Sequence, residues 1–226
     1  QAYFIRAFAH FELFRIWGPM PYITEVLDEG DQFDLARLSK VETCQKIAAD
    51  FDTAAMWLYR ADKARRDKTG ALNDAWQQYP SGIAAKAYKA RALLYAASPL
   101  NNETDDPDLW LEAAQANWDA IQAALVPPTG TTAYGLLSFA DRKKLYYGSN
   151  YTNETLWGYT WGSQSYNWGS FQGMINGIFG NSTSSWSGVC PTQNWVDKYE
   201  TKWGEPLNTP ADREAARLAT HYDEQN

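Results

Sequence analysis

Apolar residues recur three and four positions apart through most of the first 130 residues, which is the period of helices with one face in a core. The first helix is predicted over residues 2–17. Tyr3, Ala7, His10, Phe14 and Trp17 make one stripe, and Phe4, Phe8 and Phe11 its neighbour, so the width of the apolar surface predicts a buried helix. Gly18-Pro19-Met20-Pro21 stops it. The second helix is predicted over 39–59, opened by a capping box of Ser39 and Glu42. Its stripe is Val41, Cys44, Ala48, Phe51, Ala55 and Leu58. Residues 60–79 are charged and read as irregular. A third helix is predicted over 82–97, with Ile83, Ala87, Ala90, Leu94 and Ala97 on one face and Pro99 after its end. Asp106 caps a fourth, with Pro107 at its first position and Trp110, Ala114, Trp118, Ile121 and Leu125 as its stripe. Pro127-Pro128 closes it. The third and fourth helices are Ala-rich and joined by a short connection, the texture of a tetratricopeptide-like helical hairpin, although the full repeat consensus is absent.

The texture changes after residue 130. Residues 136–146 suit one short helix, and Thr155 to Thr160 alternates like a strand. From Thr155 through Val196 there is no charged residue, yet the window holds seven of the 15 glycines and a dense set of Trp, Tyr and Phe. Ser, Thr, Asn and Gln fill the gaps. This composition predicts irregular packed loops that display rings among neutral hydrogen-bonding groups. Helical signals return at Thr192–Tyr199 and at Pro210–Ala219, where Thr209 caps and Pro210 takes the first position. The fold class expected is mostly α, with tetratricopeptide-like helical hairpins, a large irregular aromatic loop region and little β. Residues 1–130 form the expected helical-repeat-like scaffold, and 131–226 the irregular aromatic region.

Composition narrows the function classes. The chain has 226 residues, 45% of them hydrophobic, which excludes wholesale disorder. A formal net charge of -7 disfavours nucleic acid or an anionic lipid surface, both of which need a basic face. The apolar runs fall far short of the ~20 residues of a membrane helix. Two cysteines, Cys44 and Cys190, leave one bridge open but make neither a metal cluster nor a disulfide framework. With only two histidines, His10 and His221, a zinc site is not expected, and no cofactor is implied. His10, on a helix stripe, reads as a hydrogen-bonded core residue.

Aromatic content is the unusual quantity: 15%, with 11 Trp and 14 Tyr, more than core filling requires. Carbohydrate recognition accounts for it. A sugar ring offers an apolar C–H face, which a flat indole covers, and a rim of hydroxyls, which neutral amides and hydroxyls pair. The expected ligand rings are Trp161, Tyr166, Trp168 and Trp186, flanked by Gly, Ser, Asn or Gln, with Gln164 and Asn167 as polar partners. Trp157, in the strand-like stretch, and Trp195, in a helix beside Val196, are expected to face a core. Packing of the loops by these rings is the structural alternative.

Glycoside hydrolysis needs a carboxylate pair. Asp28/Glu29, Asp105/Asp106/Asp108 and Glu200/Glu205 offer themselves, and each is better read as a cap, a turn or a solvated residue. Glu154 is the single acid beside the aromatic window. No Gly-x-Ser-x-Gly, P-loop or His-Glu-x-x-His pattern occurs, and Ser98 and Cys190 have no histidine at a recognisable spacing. No catalytic residue is assigned. Asn102, Asn150, Asn153 and Asn181 begin Asn-x-Thr triplets, which arise by chance in loops of this composition.

Three stretches together resemble the SusD/RagB family. The first is Arg6-Ala7-Phe8-Ala9-His10-Phe11-Glu12-Leu13-Phe14, running to Trp17-Gly18-Pro19-Met20-Pro21. The second runs from Ala84 through Tyr88, Arg91 and Tyr95 to Ser98-Pro99-Leu100-Asn101. The third is Pro191-Thr192-Gln193-Asn194-Trp195-Val196-Asp197-Lys198-Tyr199-Glu200, followed by Gly204-Glu205-Pro206. Asn153-Glu154-Thr155-Leu156-Trp157 is similar to a further family motif. The resemblance implies a noncatalytic surface lipoprotein of the bacterial outer membrane. Such a protein binds oligosaccharide or polysaccharide nutrient and delivers it to a SusC-like TonB-dependent transporter. It also implies that the lipid-bearing N-terminal region and a large C-terminal part of the family fold lie outside this chain, which opens with Gln1 inside a helical pattern. The alternative class is a helical-repeat interaction scaffold that binds no glycan.

Overall fold

The computed structural model describes residues 1–31, 34–65, 79–126, 134–142, 144–147, 152–158, 192–201, 204–207 and 209–218, with backbone alone for 60–65, 146, 147, 193, 196 and 216–218. The described residues are mostly helical. Four long helices, α1 (Ala2–Trp17), α2 (Lys40–Arg65), α3 (Gly82–Ala97) and α4 (Pro107–Leu125), are followed by the short α5 (Lys144–Tyr147), α6 (Gln193–Val196) and α7 (Pro210–Leu218). The only β pairing among the described residues is one antiparallel bridge, Glu200 with Pro206. The chain divides into two compact units, residues 1–160 and 161–226.

Local chemistry sets the helix ends. Gly18 turns α1 out at φ +77°, a conformation that strains any side-chain-bearing residue, while its N–H still donates to Phe14 O at 2.9 Å. At α2 the expected capping box is reciprocal: Glu42 N donates to Ser39 Oγ at 3.2 Å, and Ser39 N to Glu42 Oε2 at 3.0 Å. Helix α2 runs to Arg65 rather than ending at 59. Arg60, Ala61, Lys63, Ala64 and Arg65 are good helix formers, which extends the helix past the end of the apolar stripe. Ser81 caps α3 through Ala84 N at 3.0 Å, and Asp106 caps α4 through Asp108 N at 3.0 Å. Between α3 and α4, Asn102 is buried. Its Oδ1 accepts from Asp106 N at 2.8 Å, and its Nδ2 donates to Asp106 O at 3.0 Å and to Ala97 O at 3.5 Å. The amide of that Asn-x-Thr triplet is therefore committed to the turn.

In the first unit α1 packs on α2, α2 on α3, and α3 on α4. The core joins Phe4, Ala7, Phe11 and Phe14 of α1 to Cys44, Ile47, Phe51 and Leu58 of α2 and to the alanines of α3 and α4. The stripe expected on α2 is the buried one from Cys44 onward, widened by Thr43, Ile47 and Ala54. Cys44 is a free thiol, completely buried, so it makes no bridge. Lys89 Nζ to Asp52 Oδ1 at 2.8 Å ties α3 to α2, and Lys40 Nζ to Glu103 Oε1 at 2.7 Å ties α2 to the α3–α4 turn.

The other stripes need correction. Helix α1 is buried on one face only; Ile5, Leu13, Ile16 and Trp17 are exposed. Helix α3 lies between two neighbours, so Ala84, Ala85, Ala92, Leu93 and Ala96 are buried beside the expected Ile83, Ala90 and Ala97, while Leu94 is exposed. On α4 the aromatic stripe faces outward: Trp110, Trp118, Ile121 and Leu125 are all exposed, and Ala113 and Ala116 face the core. The reason is close approach. Ala113 and Ala116 are the buried residues of α4, and short side chains allow closer packing on α3 than indoles would.

After α4 the chain is irregular. The helix expected over 136–146 is split into a 3-10 turn at Phe139–Asp141 and α5. Residues 155–158 form no strand; Thr155 N donates to Thr152 O at 3.0 Å, which closes a turn instead. In the second unit Thr209 and Asp212 cap α7 reciprocally, at 3.1 and 2.9 Å.

Candidate functional site

The six residues expected to bind ligand, Trp161, Tyr166, Trp168, Trp186, Gln164 and Asn167, lie outside the described residues. Residues 152–158, at the start of the charge-free window, are described. Glu154 Oε2 accepts from Leu137 N at 2.8 Å, and Gly135 N donates to Asn153 O at 3.1 Å, so this turn is held by the segment after α4. Ser81 Oγ reaches Leu156 O at 3.5 Å. Trp157 inserts its ring edge-on against Phe4, Phe8 and Tyr88, with centroids at 5.0, 5.5 and 5.9 Å. Phe51 lies within the same cluster, 5.3 Å from Phe4 and 5.4 Å from Tyr88. Edge-to-face packing matches the positive rim of one ring to the negative face of the next. Trp157 is thus a core ring, as expected, and fixes the point from which the window departs.

Three of the acids weighed above, Asp106, Glu154 and Glu205, have carboxylates engaged in local structure. Asp106 is a cap and Glu154 a brace. Asp28 belongs to a turn in which its N–H donates to Asp31 Oδ2 at 2.7 Å. Glu205 accepts from Thr201 Oγ1 at 3.2 Å inside the Gly204 turn. Among the described residues no group of three or more His, Cys, Asp or Glu is placed to hold a metal ion.

A charged cluster that the periodicity did not single out lies between α1 and α2. Arg6 donates through Nε and Nη2 to both oxygens of Asp50 at 2.6 Å, and through Nη1 to Thr24 O at 3.1 Å. Tyr22 Oη donates to Asp50 Oδ2 at 2.7 Å. The hydrogen bond to Asp50 holds the Arg6 pKa above its ordinary value, and burial pushes the Tyr22 hydroxyl up, with Asp50 adding to it. His10 Nδ1–H donates to Arg6 O at 2.9 Å, and its ring lies 4.2 Å from that of Tyr22. With every polar atom of Asp50 engaged, the cluster staples the post-helix segment 18–24 onto α1 and α2. The sequence signal for it was an Asp on the apolar side of α2.

Sequence reasoning also misjudged Trp195. It sits on α6 but is 60% exposed, and Tyr199, past the end of α6, is 61% exposed. Their centroids are 6.4 Å apart with planes at 78°. A helix of four residues is a single turn, too short for the recurring apolar stripe that carries a large ring into a core.

Comparison with known proteins bears on the scaffold. Residues 1–94 match a SusD-like family model described as "Starch-binding associating with outer membrane". A curated relative, "SusD-like protein P2" of Formosa agariphila, is 36% identical over 59 residues, which are 26% of this chain and 12% of the relative. No solved structure matches the chain. Among the described residues no helix is long and apolar enough to cross a membrane.

Proposed function

Taking the chain as SusD-like, on the strength of residues 1–94, we propose that it captures neutral glycan at the bacterial cell surface without catalysing its breakdown. The observation that carries this reading is the match of α1, α2 and most of α3 to a family described as starch-binding and associating with the outer membrane. The charge-free aromatic window supports it, because stacking rings and neutral amides suit uncharged sugar. In this reading residues 1–130 are a tetratricopeptide-like scaffold, and 131–226 carry the ligand side. Trp161, Tyr166, Trp168 and Trp186 stack on sugar, and Gln164 and Asn167 pair its hydroxyls. The glycan passes to a SusC-like TonB-dependent transporter, and an N-terminal lipid outside this chain holds the protein to the outer membrane.

Titration of the protein with neutral oligosaccharides, maltoheptaose first, tests the reading. The expected dissociation constants are micromolar to millimolar, about 4–8 kcal/mol. Absence of binding to every neutral glycan tried would overturn it. Co-purification of the membrane-anchored protein with a TonB-dependent transporter tests the delivery step. The scaffold alternative draws on one observation, the outward apolar ridge of α4. It predicts a stable protein partner and no glycan binding.

A further inference from the structure

We infer that Trp195 and Tyr199, in the second unit and not among the six residues named above, form a saccharide platform; this rests on the glycan-capture reading. The two residues are four apart, Trp195 in α6 and Tyr199 three residues past its end, and the turn between them brings the rings together. Both are about three-fifths exposed, and their rings meet edge to face at 6.4 Å and 78°. That arrangement leaves a corner with two aromatic walls. A sugar ring laid on the indole meets the tyrosine side chain at its edge, where the phenolic hydroxyl reaches the rim hydroxyls. Asn194 and Lys198, both exposed, add polar groups next to each ring.

The backbone under the rings is fixed from both sides. Before them, Trp195 N donates to Thr192 O at 3.0 Å and to Thr192 Oγ1 at 3.3 Å. Between them, Asp197 is buried and ion-paired to Arg213 of α7, whose Nη1 also donates to Leu207 O at 3.3 Å. After them, Glu200 bridges Pro206, Thr201 N donates to Glu205 O at 2.9 Å, and Gly204 turns the chain at φ +83°. Rings held on such a frame lose little freedom on binding, which is what a shallow site needs.

Size and charge favour a sugar over a protein. Among the described residues the patch is two side chains of roughly 150–250 Å² each, far less than the about 800 Å² per partner of a stable protein interface. The flanking Lys198 and Glu200 carry opposite charges, so neither sign of ligand is selected. Trp195 lies one residue before the end of the 155–196 window that has no charged residue. The ligand class is therefore a neutral oligosaccharide bound by stacking.

The test uses the whole chain, calorimetric titration with maltoheptaose, cellohexaose and laminarihexaose, and Trp indole N–H resonances of the ¹⁵N-labelled protein. Trp195→Ala and Tyr199→Ala are each expected to weaken binding about five- to thirtyfold, while Trp118→Ala on α4 leaves it unchanged. The Trp195 indole signal, assigned with Trp195→Phe, is expected to shift on saccharide addition even if an alanine variant lowers the melting point. If the wild type binds a saccharide and both alanine variants bind within twofold of it, or the Trp195 signal stays in place, the platform is overturned and glycan capture stands. If the wild type binds none of the three saccharides, the platform is overturned as well. Whether glycan capture falls with it is then read from the wider panel of neutral glycans.

Discussion

Replacing Asp50 by Ala removes the acceptor of three hydrogen bonds at once, two from Arg6 and one from Tyr22. Breaking a buried ion pair by deleting one partner costs about 3–5 kcal/mol, because the remaining charge is left desolvated. Here the Arg6 side chain is 26% exposed and that of Asp50 12%, so water compensates part of the loss. About 2–4 kcal/mol is the resulting expectation. For a chain of this size each kcal/mol moves the midpoint by roughly 2–4 °C, so the melting temperature should fall by about 5–15 °C. Tyr22→Phe removes one charge-assisted bond and should cost about 1.5–3 kcal/mol. Arg6 and Asp50 should be strongly non-additive in a double-mutant cycle, since each alanine alone already breaks the pair. The triple replacement Arg6→Met, Asp50→Leu, Tyr22→Phe should recover most of the loss, because an apolar cluster of similar volume carries no desolvation penalty. Urea denaturation monitored by circular dichroism reads all of these. A cost below about 1 kcal/mol for Asp50→Ala, or simple additivity with Arg6→Ala, would refute the view that this cluster staples 18–24 to the helices.

Trp157→Ala should destabilise by about 2–4 kcal/mol, since the ring packs against three others, whereas Trp118→Ala should cost less than about 1 kcal/mol; thermal melts of the two variants compare them directly. Asn102→Ala should cost about 2–3 kcal/mol by leaving the Asp106 N–H and C=O without their partner in the α3–α4 turn, measured as a shift in the urea midpoint. Burial pushes the Cys44 thiol up to about 12 from 9, and the Tyr22 and Tyr88 hydroxyls shift the same way. The folded state then keeps protons that the unfolded chain releases, so stability is full below about pH 9 and declines as pH climbs toward 12, visible as a falling urea midpoint. In a Cys190→Ser background, Cys44 should resist a thiol reagent at pH 8 until denaturant is added.

The helices of the first unit were legible because their signals are local. A capping box at Ser39 and Glu42, Asp106 before Pro107, and Gly18 ahead of two prolines each act within a few residues, where chain geometry alone decides the hydrogen bonds. The α2 stripe was legible for the same reason, since its apolar period is unbroken from Cys44 to Leu58. Of the stretches that resemble the family, Arg6 to Pro21 lies within the matched residues 1–94, and the one that starts at Ala84 does so only as far as Leu94. The six residues expected at the glycan site, Trp161 to Trp186, lie outside the described residues and stay a proposal.

What the chain does with its large side chains depended on the tertiary structure. An apolar stripe says that a face wants cover, not which neighbour arrives. On α4 the buried residues are Ala113 and Ala116, because short side chains allow closer packing on α3 than indoles would, and Trp110 and Trp118 stay outside. The Asp50 staple shows in one dimension only as an acid on the apolar side of α2; its partners do not, because Arg6, Tyr22 and Asp50 are 16 to 44 positions apart and meet only when α1 packs on α2. Trp157 and Trp195 were both expected to face a core, yet one finds three rings to pack on and the other sits exposed beside Tyr199. Periodicity is a property of the backbone, and it can be read from residue order. Burial is a property of pairs of surfaces, and only the assembled fold supplies the second surface.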